Sequence, residues 1–256
     1  MKNVVVFIDI DGPLMPTRQW MSTDNHKLNQ AIHAWDTDKN GLWYNDWNMK
    51  KQVRFDPVAV TFFNAWIEFA DAKIVVSSNW SHHTSKEELQ ELFELNGLRG
   101  EFHEDWTTPS HFRPRGRYSE INEWVGDHPE LDNYLIVDDD GTVHGLDDAN
   151  KAALKHAKSV IRHWQNKAKQ GEVPVDMWDK MELERAQNPY IHKLAGHVIE
   201  VDTDQGITLK QFGQGCKILN IDMADINERW YGVKKLTPEE LQERERQHEE
   251  YLRWFI

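Results

Sequence analysis

Apolar and polar positions divide this chain into blocks of different period. Val4-Val5-Val6-Phe7-Ile8 is an unbroken apolar run that stops at Asp9-Ile10-Asp11-Gly12. A short β-branched run closed by Gly12 and Pro13 reads as a strand buried on both faces. Lys73-Ile74-Val75-Val76 and Tyr134-Leu135-Ile136-Val137 have the same character, and His197 to Asp202 reads as a last strand. Between the strands the apolar period lengthens to that of a helix. Asp56 as N-cap and Pro57 in the first turn open one helix, with Val58, Phe62, Trp66 and Phe69 inward. Thr84 or Ser85 caps a second, closed by Gly97, with Leu89, Leu92 and Leu95 buried. A short strand or loop follows near Glu101 to Asp105, and Trp106 to Gly116 reads as a loop. Further helices are predicted from Arg117 through Ile121 and Trp124 to about Asp127, and over Leu209 to Leu219. Strands alternating with helices predict an α/β fold with a parallel central sheet.

Two stretches break the rhythm. Residues 13–55 are long for a connection between a strand and a helix. They predict one helix from about Asn25 to Trp35 and are otherwise loop-like, a candidate cap or lid over the strand ends. Trp43, Tyr44 and Trp47 either stack on a base or sugar or pack the lid's own core. Residues 147–190 predict a helix from Asp147 to Lys169 with an apolar stripe of Leu154, Ala157, Ile161 and Trp164, then a shorter one over Asp176 to Gln187. The first is basic, through Lys151, Lys155, Lys158, Arg162, Lys167 and Lys169. It reads as a contact for an anionic ligand or as a solvated face suited to the helix dipole. Thr237-Pro238-Glu239-Glu240 starts a charged terminal helix that closes on Tyr251, Leu252, Trp254 and Phe255 and docks on the domain or on another copy. The division expected is a core over 1–220 carrying both insertions and a helical extension over 221–256.

Composition narrows the class. A chain of 256 residues, 39% hydrophobic and 29% charged, is large enough for one globular core. Its net charge of −13 argues against a general nucleic-acid coat. The single Cys216 excludes an internal disulfide, fits a reducing compartment and reads as a small buried hydrophobe. The N-terminal apolar run meets Asp9 too soon for a signal peptide, and no run approaches the ~20 residues of a membrane span. A cytoplasmic protein with no membrane partner is expected.

Chemistry gathers at the strand ends. Residues i and i+2 of a strand point the same way, so Asp9 and Asp11 leave the first strand together at the edge where α/β sheets bind ligands. Such a pair repels unless a cation or a proton intervenes, and Mg²⁺ prefers oxygen ligands. The second strand ends in Ser77-Ser78-Asn79-Trp80, whose hydroxyls can donate to phosphate oxygens. The third apolar run ends in Asp138-Asp139-Asp140-Gly141. Arg115 and Arg117, at the mouth of a helix, can hold a phosphate or a carboxylate. Taken singly, each is also an ordinary turn or surface feature.

Taken in order, Asp9-x-Asp11-Gly12, the strand ending Ser77-Ser78-Asn79-Trp80, Arg117-x-x-Glu120-Ile121 and Val137-Asp138-Asp139 resemble the haloacid dehalogenase-like (HAD) superfamily. More narrowly, they resemble the small HAD phosphatase domains grouped with nucleic-acid repair proteins and common in phage genomes. Gly206-Ile207-Thr208 is similar to a late Gly-Leu-Thr of that group. The resemblance covers roughly residues 1–140 and 195–220. It implies a three-layer Rossmann-like core with a small cap-like insertion after the first strand and a helical insertion after the Asp-Asp strand. It further implies Asp9 as phosphoryl-accepting nucleophile and Asp11 as general acid and base. Mg²⁺ would sit on Asp9, on the main-chain carbonyl of Asp11, and on Asp138 or Asp139. Ser77 or Ser78 would hold a phosphate oxygen, and Arg117, with Arg115 in competition, would steady Asp9. The implied substrate is a small phosphorylated molecule, a nucleotide, or the phosphorylated end of a nucleic acid. A HAD core kept as a binding module, without turnover, is the alternative. Ser81 stands where that group often has arginine. The oligomeric state is open.

Overall fold

The structure, a computed structural model, describes residues 2–39, 46–109, 116–170, 173–174, 177–189, 191–235, 237–240, 242–243 and 246. Five strands form its sheet: β1 (Val4–Ile8), β2 (Lys73–Val76), β3 (Phe102–Thr107), β4 (Asn133–Asp138) and β5 (Val198–Glu200). Their order is β3-β2-β1-β4-β5, and every neighbouring pair is parallel. β1 is central, and all five of its residues are buried. Val4, Val6 and Ile8 join one apolar cluster, Val5 and Phe7 another on the opposite face. An all-apolar run is what a strand covered on both sides requires.

Ten α-helices accompany the sheet among the described residues, besides a 3-10 turn over Asn79–His82: α1 (Thr17–Trp20), α2 (Thr23–Lys39), α3 (Trp47–Lys50), α4 (Pro57–Ala70), α5 (Lys86–Leu95), α6 (Gly116–Asp127), α7 (Leu146–Lys169), α8 (Met177–Gln187), α9 (Leu209–Ile218) and α10 (Met223–Tyr231). α4, α5, α9 and α10 pack into the cluster on one face, and α6 with the start of α7 covers the other. The result is the three-layer α/β core expected. None of the described helices is long and apolar enough to cross a membrane.

Capping and packing account for the main joints. Asp56 accepts the N–H groups of Val58 and Ala59 at the start of α4, a cap of about 1 kcal/mol. α4 and α9 meet where the Trp66 ring lies over Gly215. A Cβ on Gly215 would fall 2.5 Å from Trp66 Cε2, so only glycine fits. The Trp66 indole N–H donates to the Phe212 carbonyl at 3.2 Å, which satisfies its one polar group. Cys216, on the same helix, is buried as expected.

Several predicted faces shift. On α4 the buried side is Ala59, Val60, Phe63, Trp66 and Ile67, while Val58 is exposed. Phe62 instead stacks on Phe212, with centroids 4.5 Å apart, and Phe69 packs edge-on against Trp230. Large residues alone had defined the predicted stripe, whereas Ala59 and Ala65 are also fully buried on this helix. On α5, Leu95 is exposed and Phe93 replaces it, lying between Phe55 and Phe102. Ser85, not Thr84, caps α5, in a reciprocal box with Glu88. β3 runs on through Trp106 and Thr107, which had been read as loop. On α7, Leu154 is exposed and Val160 takes its place in a small cluster with Ala157, Trp164 and Ala186.

The segment after β1 is more helical than predicted, holding α1 and α3 besides a longer α2. Asn25 organises it. Its fully buried amide donates to the carbonyls of Gln19 and Arg54 and accepts the Arg54 N–H at 2.8 Å. Trp47 packs partly buried against the main core. Trp43 and Tyr44 lie outside the described residues, as do Tyr251, Leu252, Trp254 and Phe255. Thr237 and Glu240 do cap one another, as a helix start there requires.

Candidate active site

Register builds the site. Ile8 stands opposite Val76 on one side and Val137 on the other. The next residues on three neighbouring strands, Ser77, Asp9 and Asp138, therefore emerge side by side at the C-terminal edge. The Ser77 N–H donates to the Ile8 carbonyl and the Asp9 N–H to the Val137 carbonyl, which extends the ladder to the last residue. All three side chains are buried.

Arg117, from the first turn of α6, enters beneath them and is itself buried. Its Nη2 lies 3.8 Å from Asp9 Oδ2, its Nε 3.2 Å from Asp138 Oδ2, and its Nη1 donates to Glu120 Oε2 at 2.8 Å. The Nε contact is one of charge only. That N–H is not aimed at the oxygen, so among the described residues Arg117 Nε and Asp138 Oδ2 both stay without a hydrogen bond. The other Asp138 oxygen accepts the Asp140 N–H at 2.8 Å. Asp9 Oδ1 accepts the Ile10 N–H at 2.7 Å, and the Ser78 hydroxyl bonds the Asp9 carboxyl. Ser77 Oγ, fully buried, has no hydrogen-bond partner among the described residues.

One arginine does not balance this carboxylate set. Burial holds the Asp9 carboxyl well above the usual carboxylate range, and the charge of Asp138 adds to it, against the pull of Arg117 and Ser78. Burial likewise pushes Asp138 up to about 6, with Arg117 opposing. Oxygens of Asp9, Asp138 and Asp139 lie within 4.8 Å of one another. A buried carboxylate oxygen without a hydrogen bond among the described residues, in an all-oxygen cluster that one arginine does not balance, fits a hard divalent cation.

Asp9 and Asp11 turn out unequal. Asp11 contributes no carboxylate to that cluster; it accepts the indole N–H of Trp80 at 3.1 Å. Directly after Asp11, Gly12 adopts φ +82°, and a Cβ there would lie 2.5 Å from the Asp139 carboxyl carbon. Asp139 also accepts the Thr203 hydroxyl at 2.6 Å. Thr203 belongs to the turn after β5, closed by the Gly206 N–H on the Asp202 carbonyl, and Gly206 itself abuts Pro16. The late Gly206-Ile207-Thr208 thus lies where the loops after β1 and β5 meet. Asp140 Oδ1 accepts the Thr142 N–H and serves its own turn. Arg115 lies outside the described residues.

A cleft of about 700 Å³ opens beside Asp11 and Gly12, lined among others by Trp20, Lys50, Trp80, His82 and His83. Trp80, Thr203 and Lys50 were not singled out from sequence as site residues. Only the Ser-Ser-x-Trp spacing pointed toward Trp80. A second cluster, His103, Asp105 and His128, also brings its ligating atoms within 4.8 Å. Its groups satisfy one another. His103 Nδ1 takes the Asp105 N–H, and His128 bridges the Trp124 carbonyl and Asp105 Oδ2.

Comparison with curated proteins and with solved structures gives no match. Comparison with protein families gives one, to the HAD domain in Swiss Army Knife RNA repair proteins, over residues 5–212. That span begins in β1, takes in all five strands with Asp9, Ser77, Ser78, Arg117, Asp138 and Asp139, and ends in α9. On a match of that extent, the chain belongs to the HAD superfamily, in the family of HAD domains of Swiss Army Knife RNA repair proteins.

Proposed function

We propose that this HAD domain, from a superfamily of phosphohydrolase type, is a Mg²⁺-dependent phosphomonoesterase. Its substrate is a phosphorylated nucleic-acid end, RNA first, or a nucleotide. The observation that carries the reading is the row of Ser77, Asp9 and Asp138 on adjacent strand ends, with a hydroxyl and a carboxylate oxygen both buried and unsatisfied. Buried polar groups without partners are costly, and they persist where a ligand completes them.

Asp9 attacks phosphorus and becomes an aspartyl-phosphate as the leaving oxygen departs. Asp11, held through Oδ2 by Trp80, protonates that oxygen and then takes a proton from the water that cleaves the acyl phosphate. Ser77 donates to a phosphoryl oxygen. Ser78 already bonds Asp9 and sets its orientation. Arg117 favours the ionised form of Asp9, against burial and the charge of Asp138. Asp9, Asp138 and Asp139, with the Asp11 main-chain carbonyl, would hold Mg²⁺. When bound, the ion neutralises charge on the phosphoryl oxygens. The α1–α3 segment contributes Thr17, Trp20 and Lys50 to the cleft and acts as its cap.

Phosphate release is measured from an aryl phosphate, a nucleotide panel and oligonucleotides phosphorylated at either end, with and without Mg²⁺. Activity is expected only with the metal and is lost in Asp9→Asn and Asp11→Asn. Absence of Mg²⁺-dependent release on every substrate would overturn the enzyme reading.

A further inference from the structure

The cleft beside Asp11 holds a cation that this chemistry does not use. Lys50, the last residue of α3, lines it and is only 2% exposed. Its ammonium donates to the His83 carbonyl and, at 2.7 Å, to Thr84 Oγ1. Both acceptors are neutral, and an ammonium has three donors, so one remains. Among the described residues no carboxylate lies within ion-pair distance of it. Glu88 acts only from further off, with its own carboxylate committed to the Ser85 N–H. Buried charges are as a rule paired. Lys50 is bonded yet without an ion-pair partner among the described residues, on the wall of the cleft beside Asp11.

The rest of the lining suits a nucleotide. Trp20, Trp80 and Met15 supply apolar and aromatic surface, and His82 and His83 stand in the chain just before Thr84. A cleft of about 700 Å³ lies within the range of small-ligand sites. A lone phosphate at Asp9 would leave Lys50 unmatched.

We propose that Lys50, with His82 on the same cleft, forms a subsite for a second phosphate carried by the leaving group. The preferred substrate is then a nucleoside bearing two phosphates, one removed at Asp9 and one retained at Lys50. The retained group is either a free phosphate, as in a nucleoside bisphosphate, or the phosphodiester to the next nucleotide. This inference rests on the phosphatase reading and sharpens its substrate class.

The test compares kcat/KM for a nucleoside monophosphate, the matching 3′,5′-bisphosphate, and a dinucleotide with the same terminal phosphate. The second phosphate is expected to raise kcat/KM about tenfold or more in the wild type. In Lys50→Gln that ratio falls toward one, and in the exposed His82→Ala it falls part of the way. Each protein serves as its own reference, because a general folding or catalytic defect lowers all three substrates together. Preference for the bisphosphate over the dinucleotide identifies a free phosphate, and the reverse identifies a diester. A wild-type ratio near one, or a full ratio retained in Lys50→Gln, overturns the subsite. If no substrate turns over, the phosphatase reading has failed by itself. The subsite is then judged by thermal shift, where the bisphosphate must stabilise the wild type more than the monophosphate does, and no such difference overturns it. Should Lys50→Gln not fold, the wild-type ratio and His82→Ala decide.

Discussion

The Trp80 indole N–H donates to Asp11 Oδ2 at 3.1 Å across 69 positions of sequence. It fixes the rotation of the Asp11 carboxyl beside the cleft. Replacing Trp80 by Phe keeps an aromatic wall and removes the donor. The expected result is a fall in kcat of about tenfold on alkyl phosphates, a fraction of the ~10²–10⁴-fold that general acid catalysis supplies. Aryl phosphates, whose leaving groups need little protonation, should lose much less. A series of leaving groups of graded pKa checks this, and an equal loss along the series would reduce Trp80 to a packing residue.

Gly12 sets a second constraint. Alanine at φ +82° is strained by about 1–2 kcal/mol. Its Cβ would also displace the Asp139 carboxylate that the Thr203 hydroxyl holds. Gly12→Ala should therefore lower stability modestly and weaken the apparent Mg²⁺ affinity by a larger factor. Denaturant unfolding and a Mg²⁺ titration of activity read the two effects separately.

Stability should depend on pH in a way that metal reverses. The folded state raises Asp138 from 3.8 to about 6, so it binds that proton more tightly than the unfolded chain does. The contribution is fully present below the unfolded pKa and is lost as pH rises through the window up to the folded value. In chelator, the urea midpoint should drop between about pH 4 and 6. Saturating Mg²⁺ should abolish the drop by replacing the proton, and Asp138→Asn should lessen it without metal, leaving the part due to the raised Asp9 carboxyl. A midpoint that climbs through this window in wild type relative to Asp138→Asn would contradict the assignment.

Cys216 offers a check on the core. It is 1% exposed, and burial pushes its thiol up to about 11. A buried thiol is a poor nucleophile. Alkylation followed by mass spectrometry should show almost no modification of the native protein at pH 8 and rapid modification in denaturant.

Much of this was legible in the chain because it is local. The runs at Val4, Lys73 and Tyr134 end in the Asp and Ser residues that meet at the sheet edge. Parallel pairing in register makes that meeting unavoidable once the strands are adjacent. The Asp56-Pro57 cap is likewise a short-range signal. The buried face of α4 was misplaced because Ala59 and Ala65 carry little hydrophobic signal, and their burial comes from contact with other elements. α10 was read only as part of a helical extension because Ile226 is its one buried residue and Asp225, Asn227, Glu228 and Arg229 interrupt the apolar stripe. Trp80 on Asp11, Thr203 on Asp139 and Lys50 on Thr84 are side-chain pairs 69, 64 and 34 residues apart. Their geometry depends on how loops cross the strand ends, which no periodicity encodes.

Asp9 is the residue proposed to take the phosphoryl group. Protein mixed with excess phosphorylated substrate and Mg²⁺, quenched in acid within one turnover and digested, should carry phosphate on the peptide containing Asp9. The label should be labile to hydroxylamine and absent from Asp9→Asn. Phosphate release that persists undiminished in Asp9→Asn, or label found on another residue, would contradict the account.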